Sequence, residues 1–339
     1  MYSSADFNKK MISIVLSILL GSVFIISAAT KIYPMEPFEY QFVDIGIATW
    51  KTAPYFARFF IGLEFFLGMM LILNIKLRKF TLKFAIVLLL VFNIYLIYKV
   101  IVDGNKGNCG CFGEVLQMTP LQAIIKNIIL IILAIIVYLL TNSLPFTEIP
   151  ILISTKLDGF FEKLQHKTWM SISKKIFIFF LYITSMCLGF FIYPIDIVFS
   201  TTLDHKTINY KVPLELMYSS SQQEKPTIDL TKGKHIIAFL SLTCPHCKIA
   251  AQKMNIMHKK NPVIPFYFVL NGDNKLLTEF LTYTNTKNIA HNLFNGANDW
   301  MKVAGFSLPI IMYIDNSIVQ KKCNGIELSQ DDIENWLNK

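Results

Sequence analysis

Arginine is nearly missing from this chain: Arg58 and Arg78 are the whole supply in 339 residues. Charge of either sign is scarce too, at 16%, where a soluble protein carries roughly 25%. That shortage excludes a chain that is soluble or disordered throughout. The lysines flank apolar segments and form no stripe interleaved with exposed aromatics, which argues against a nucleic-acid partner. No nucleotide-binding loop and no haem motif occurs. Cysteine is sparse, with six residues, yet four of them form two tight pairs, Cys109 with Cys111 and Cys244 with Cys247. That spacing is a redox or metal pattern, unlike the scattered framework of a disulfide-stapled mini-domain.

What the chain has in excess is apolar surface. Hydrophobic residues make up 53% and mean hydropathy is +0.47. One soluble core does not absorb so much, and the length suggests about two domains. Five segments are long enough to span a bilayer, which takes about 20 helical residues. They are 11–32, 53–74, 82–102, 121–141 and 175–195. Lys9 and Lys10 before the first, with Ser27-Ala28-Ala29 near its end, imitate a signal peptide. Its apolar run is long and further spans follow directly, so it is read as an uncleaved span.

Basic residues orient the spans. Lys76, Arg78, Lys79 and Lys83 cluster around the second loop, and Lys156, Lys163, Lys167, Lys174 and Lys175 in the fourth. Both are expected on the cytoplasmic side. The loop with Glu36, Glu39 and Asp44, and the loop with Asp103, Lys106 and Glu114, then lie outside. An odd number of spans places everything after residue 200 outside as well. Both cysteine pairs therefore share one oxidising compartment. The expected domains are a four-span membrane domain (1–141), a cytoplasmic linker (142–174), a fifth transmembrane helix (175–195) and an exoplasmic domain (196–339). The expected setting is a bacterial inner membrane, with the N-terminus cytoplasmic and the last domain periplasmic.

In the last domain short apolar runs alternate with polar stretches. His235–Leu242 and Pro265–Leu270 read as strands and Pro245–His258 as a helix between them. Ile310–Ile314 and Ile318–Lys322 read as a hairpin, and Ser329 with Asp332 as the capped start of a last helix. This is a small α/β domain. Cys244-Pro245-His246-Cys247 falls at its strand-to-helix junction, the sequence form of a thioredoxin-like redox centre. There the first cysteine meets the helix N-terminus, whose unpaired N–H groups favour a thiolate, and the second lies one turn on. His246 between them favours the reduced form and makes the disulfide more oxidising. Leu308-Pro309, just before a strand, resembles the cis-proline that faces C-x-x-C in that fold and lets the preceding backbone pair with an incoming peptide. The alternative is a zinc half-site, but no second C-x-x-C or H-x-x-x-H completes it. No metal site is expected.

The first pair sits in Asn108-Cys109-Gly110-Cys111-Phe112-Gly113, between spans three and four, with Thr119-Pro120 opening span four. Gly110 allows the turn a bridge between residues i and i+2 requires. The alternative is two structural or free thiols in a loop.

Residues 11–141 resemble the DoxX/MauE-type redox-associated membrane proteins, which are four-helix bundles. The features that match are Ser27 through Lys31 with Pro34, Arg58, Glu64 through Gly68, and the C-G-C-F-G loop. The C-terminal part resembles TlpA/DsbA-like thioredoxin-fold disulfide oxidoreductases. The resemblance implies a multi-pass helical membrane protein with a C-terminal thioredoxin-like domain, supporting disulfide formation in exported proteins. It is similar in plan only to vitamin K epoxide reductase homologues fused to thioredoxin domains, whence a quinone is expected as the electron acceptor by analogy.

Cys244, Cys247, Cys109 and Cys111 are thus the candidate catalytic residues, supported by Pro245, His246, Leu308 and Pro309. Glu64 lies inside a span, where a carboxylate is costly and a functional candidate by default. It reads either as a proton relay or as a structural partner of Lys31 or Arg58. Asn93 and Lys126 are weaker candidates. Cys187 reads as packing, and Cys323 as a structural or free thiol. Two rival functions remain open: a reductive or isomerising relay with reversed flow, and a non-redox membrane assembly factor whose outer domain binds clients.

Overall fold

The computed structural model describes residues 4–105, 107–113, 115–142, 167–195, 209–219 and 224–339. Most of the expected 142–174 linker, with Lys156 and Lys163, lies outside the described residues, as do Lys106 and Glu114. The chain divides into two units, Met1–Ile195 and Asp196–Lys339.

The first unit is helical: α1 (Ser4–Thr30), α2 (Glu36–Asp44), α3 (Ala53–Ile72), α4 (Leu82–Asp103), α5 (Pro120–Asn142) and α6 (Lys167–Ile192). Five stretches within it are long and apolar enough to cross a membrane: Phe7–Thr30, Ala53–Ile72, Leu77–Asp103, Pro120–Thr141 and Lys175–Ile192. These are the expected spans. Their outward faces carry large apolar side chains such as Ile94, Ile101 and Phe191, the arrangement that lipid, not water, tolerates.

Small residues set the helix crossings. A Cβ on Gly21 of α1 would stand 2.7 Å from the Gly68 carbonyl oxygen of α3, so only glycine permits this approach. Gly62 of α3 meets the Ser185 carbonyl of α6, and Gly189 of α6 lies against the Arg58 side chain. At the start of α5 the caps are reciprocal: the Gln122 amide donates to Thr119 Oγ1 (3.4 Å) and the Thr119 amide to Gln122 Oε1 (3.0 Å). Pro120 is the first helical residue, where its missing N–H costs nothing.

The segment after α1, read from the sequence as a loop, contains α2. Pro37 and first-turn Glu36 and Glu39 suit a helix N-terminus. Phe38, Tyr40, Phe42 and Val43 are all buried, so α2 is packed among the spans and does not lie on their surface.

The second unit is an α/β sandwich around a six-stranded sheet. Its strands are β1 (Tyr210–Lys211), β2 (Lys234–Ser241), β3 (Phe266–Asn271), β4 (Ala290–Leu293), β5 (Ile310–Asp315) and β6 (Ile318–Cys323), in spatial order β1-β6-β5-β2-β3-β4. Its helices are α7 (Leu216–Ser219), α8 (Pro245–Lys260), α9 (Leu277–Thr284), α10 (Ala297–Val303) and α11 (Gln330–Leu337). Central β2 runs parallel to β3 and antiparallel to β5, and β5–β6 is a hairpin whose turn residues Asn316 and Ser317 have φ of +50° and +66°, as a tight hairpin demands. Ser329 accepts from the Asp332 amide and caps α11. The core under the sheet joins Ile237, Phe239, Val269, Phe294, Trp300 and Met312. A strand–helix–strand unit with a helix-initiating C-x-x-C, closed by a hairpin and a helix, makes this unit thioredoxin-like.

Candidate functional site

In the second unit β2 delivers the chain to Cys244 at the rim of the sheet. Cys244 is extended (φ −78°, ψ 120°) and is the N-cap of α8, with Pro245 in its first turn. The Cys247 and Lys248 amides donate to the Cys244 carbonyl at 3.1 and 3.2 Å, closing that turn. The two thiols are unlike. Cys244 is half-buried, while Cys247 is completely buried, its Sγ accepting from the Ser241 amide at 3.4 Å. Burial pushes the Cys247 thiol well above its ordinary range. Pro245 and His246 are exposed. The Leu308–Pro309 bond is cis, and Ile310, the next residue, pairs with Phe239 of β2. Leu308 and Pro309 therefore stand at the end of β2 that leads to Cys244. All six cysteines are thiols in this structure.

In the first unit the loop from α4 to α5 carries Cys109 and Cys111. Asn108 folds it: its Oδ1 accepts from the Gly110 amide (3.1 Å) and the Met118 amide (3.3 Å), and its Nδ2 donates to the Gly113 carbonyl (2.8 Å). The Cys109 amide donates to the Met118 carbonyl at 2.8 Å. Gly110 and Gly113 both have positive φ, at +66° and +58°. A Cβ on Gly113 would lie 2.0 Å from the Thr30 carbonyl oxygen. The loop is thus seated on the end of α1.

Beneath it lies a buried polar cluster. Lys31 Nζ is 2.8 Å from Glu64 Oε1 and 2.7 Å from Oε2, and it donates to Ser27 Oγ at 2.7 Å. The Ser27 hydroxyl stands 3.1 Å from both Glu64 Oε2 and the Cys111 carbonyl, so its one proton is shared between the ion pair and the cysteine loop. Of the two partners read for Glu64, the structure takes Lys31. Arg58 binds Glu39 (2.8 Å) and the Tyr193 carbonyl (3.0 and 2.8 Å) instead. Asn93 accepts from Asn127 Nδ2 at 3.1 Å. Lys126 Nζ is 4.3 Å from the Phe112 ring centre.

The Cys109 and Cys111 thiols are hydrogen-bonded to each other. That bond, with the positive charges of Lys126 and Lys31, outweighs burial and lowers Cys111 to about 7. Cys109, which holds the proton of that bond and is also desolvated, is pushed up. Cys187 lies half-buried in α6, and Cys323 is buried in β6 opposite Ile311. Among the described residues no group of three or more His, Cys, Asp or Glu side chains is arranged to hold a metal.

Reading by residue type gave no role to three side chains here, although Ser27 and Asn108 stand within the motifs quoted above. Asn108, Ser27 and Gln41, which packs against Gly110, are ordinary polar residues whose roles depend on packing. A polar Ser27 near the end of a span was the one available signal.

The two ends of the first unit can be sorted by contacts. Arg58 ties the start of α3 to the end of α6, Lys99 at the end of α4 binds Asp44 of α2, and Ser27 at the end of α1 binds Cys111. The chain accordingly leaves this unit, at residue 195, from the end that carries the cysteine loop.

Three similarities bear on the chain. Residues 9–140 match the family of methylamine utilisation protein MauE. Protein TlpB of Flavobacterium psychrophilum is 30% identical over 341 residues, covering 91% of this chain and 90% of that protein. Among solved structures, a secreted Mycobacterium tuberculosis disulfide oxidoreductase homologous to E. coli DsbE is 16% identical, with 31% of this chain and 81% of that chain covered and a TM-score of 0.27. MTB DsbF is 18% identical, with 31% and 79% covered and a TM-score of 0.27.

Proposed function

This chain belongs to the TlpB family and carries a MauE domain at its N-terminus, and from that premise we propose that it is a membrane-bound thiol–disulfide oxidoreductase supporting disulfide formation in exported proteins. The observation that carries the reading is the asymmetry of the Cys244–Cys247 pair. An accessible sulfur at a helix N-terminus precedes a buried, protonated one, the division of labour that exchange chemistry needs.

In the oxidising direction the Cys244–Cys247 disulfide is attacked at Cys244 by a client thiolate. A mixed disulfide forms and Cys247 leaves as the thiol. A second client thiolate attacks the client sulfur of the mixed disulfide, which releases Cys244 and leaves the client with a disulfide. The two electrons now on Cys244 and Cys247 pass by the same exchange to the Cys109–Cys111 disulfide. Beyond that pair they pass to a quinone, which when bound accepts two electrons and two protons. Exposed His246 between the cysteines favours this direction, as it stabilises the reduced pair. Exit of the chain at the Cys109–Cys111 end supports placing both pairs on the periplasmic side of a bacterial inner membrane, with the N-terminus cytoplasmic.

The test is trapping in native membranes. Cys247→Ser is expressed, thiols are quenched with acid, and the digested protein is examined by mass spectrometry. A Cys244 mixed disulfide with Cys109 or Cys111, together with mixed disulfides to exported proteins, is expected. Absence of any Cys244 mixed disulfide would overturn the reading.

A further inference from the structure

A recess of the first unit lies inside the helical bundle, directly under the cysteine loop. It encloses about 880 Å³ of empty space, open solvent at its mouth included. Its wall is mainly aromatic and aliphatic, with the rings of Phe38, Phe42, Phe60 and Phe92 around it. Phe42 and Phe60 are stacked with their ring centres 5.4 Å apart. Its polar lining includes the Lys31–Glu64 pair, Lys126 and Cys111, beside Gln41 and Tyr95. Cys109 does not line it; that thiol is packed instead against Leu96 and Ala123.

The rim identifies what enters. Ile47 and Val91 line the recess and are 61% and 50% exposed. Val91 lies in the middle of the α4 span, so the mouth opens on the apolar outer face of the bundle. Such a rim favours a lipid-soluble ligand over a hydrophilic oxidant such as a disulfide tripeptide. The recess fits a ligand that is soluble in lipid, flat enough to pack on phenyl rings, and provided with an oxygen atom for the Lys126 ammonium group. Beside a dithiol it must also take two electrons.

We propose that this recess is the quinone site of the chain, and that Cys111, rather than Cys109, is the cysteine that faces the quinone. The inference rests on the thiol-redox reading above and adds to it a place and an orientation. Oxidation of the Cys109 and Cys111 thiols to one S–S bond releases two electrons and two protons. These convert the two quinone carbonyls to hydroxyls, so the step balances with no further reactant. Lys126 supplies a donor to one carbonyl oxygen, while the three Lys31 donors are held by Glu64 and Ser27, and Glu64, in the same wall, is the carboxylate placed to pass a proton.

The experiment uses the full reduced chain in detergent micelles, kept anaerobic, with two quinones in their reduced forms, ubiquinol-1 and menadiol, as probes, so that the bound probe does not oxidise the thiols. Binding is measured by equilibrium dialysis, and N-ethylmaleimide labelling of each cysteine is counted by mass spectrometry. At ten times its Kd the bound probe is expected to slow Cys111 labelling about tenfold by mass action, and to leave Cys244 unchanged. Val91→Trp, a rim substitution at an exposed position that leaves folding intact, is expected to weaken binding about tenfold. Leu130→Trp, which fills the recess from α5, is the second variant.

Failure of both quinones to bind or protect would overturn the site, even if trapping had shown the two cysteine pairs to exchange. Protection of Cys109 in place of Cys111 would overturn the orientation. Quinone binding undiminished in both variants would place it elsewhere. Binding and protection as expected, with no exchange between the pairs, would keep the site and sink the relay.

Discussion

Lys31 and Glu64 meet at 2.7 Å with side chains each 3% exposed. Removing one member of so buried a pair strands the other charge. Glu64→Ala is expected to destabilise the first unit by about 3–5 kcal/mol. The Lys31→Met, Glu64→Leu double variant should recover most of that loss, because neither charge then remains. Unfolding in mixed micelles of rising dodecyl sulfate content measures both. A double variant weaker than either single one would contradict the pairing.

Gly113 is held by two constraints and Gly46 by one. Gly46 has φ +76° and open space where a Cβ would stand, whereas Gly113 has φ +58° and the Thr30 carbonyl oxygen 2.0 Å from its Cβ position. Gly46→Ala should cost only the left-handed backbone penalty, about 1–2 kcal/mol. Gly113→Ala should in addition lift the cysteine loop from α1. Maleimide labelling of Cys111 is expected to accelerate in Gly113→Ala and stay unchanged in Gly46→Ala.

The reactivity of Cys111 should follow its lowered proton affinity. In the reduced chain its alkylation is expected to rise through a midpoint at about 7. The hydrogen bond from Cys109 is the first cause, so Cys109→Ala should move the midpoint upward most. Lys126→Met should move it upward by less, since that charge acts over a longer range. Equal midpoints in all three proteins would remove the electrostatic account of the loop.

Cys323 couples the second unit to alkaline pH. Burial raises its thiol from 9.0 to about 12. The folded state therefore holds a proton that the unfolded state has lost within that window. The contribution is whole below pH 9.0 and declines as pH rises toward about 12, with a slope of about 1.4 kcal/mol per pH unit. Buried Cys247 acts with the same sign. In urea unfolding of the reduced chain, followed by tryptophan fluorescence, Cys323→Val should lessen the alkaline loss by about one proton's worth. An unaltered slope would show that Cys323 is open to solvent.

The parts of the fold that follow from local chemistry were legible in the sequence. Apolar length marked the five spans, Thr119-Pro120 marked the start of α5, and the β2–Cys244–α8 junction marked the thioredoxin-like unit. Elements that owe their form to surroundings were not. Helix α2 is only nine residues long and is buried on several sides, so no single apolar stripe announces it. Strand β4 contains His291 and Asn292 and exists because β3 offers it an open edge. Glu64 was legible as a residue needing a partner, and Lys31 and Arg58 were both at hand. The choice between them follows from α2, which brings Glu39 to Arg58. The recess under Cys111 has no sequence signal, since its wall comes from helices far apart in the chain.

Arg58 settles where this protein can be cut. The family match ends at residue 140, which invites dissection after the fourth span. Yet the 1% exposed guanidinium donates to the carbonyls of Tyr193 and Pro194, and Gly62 forms a groove filled by α6. A fragment ending at 141 would keep a cation in the bundle with those acceptors gone and the groove empty. The fifth helix is therefore a constituent of the membrane unit and more than a tether for the thioredoxin-like unit.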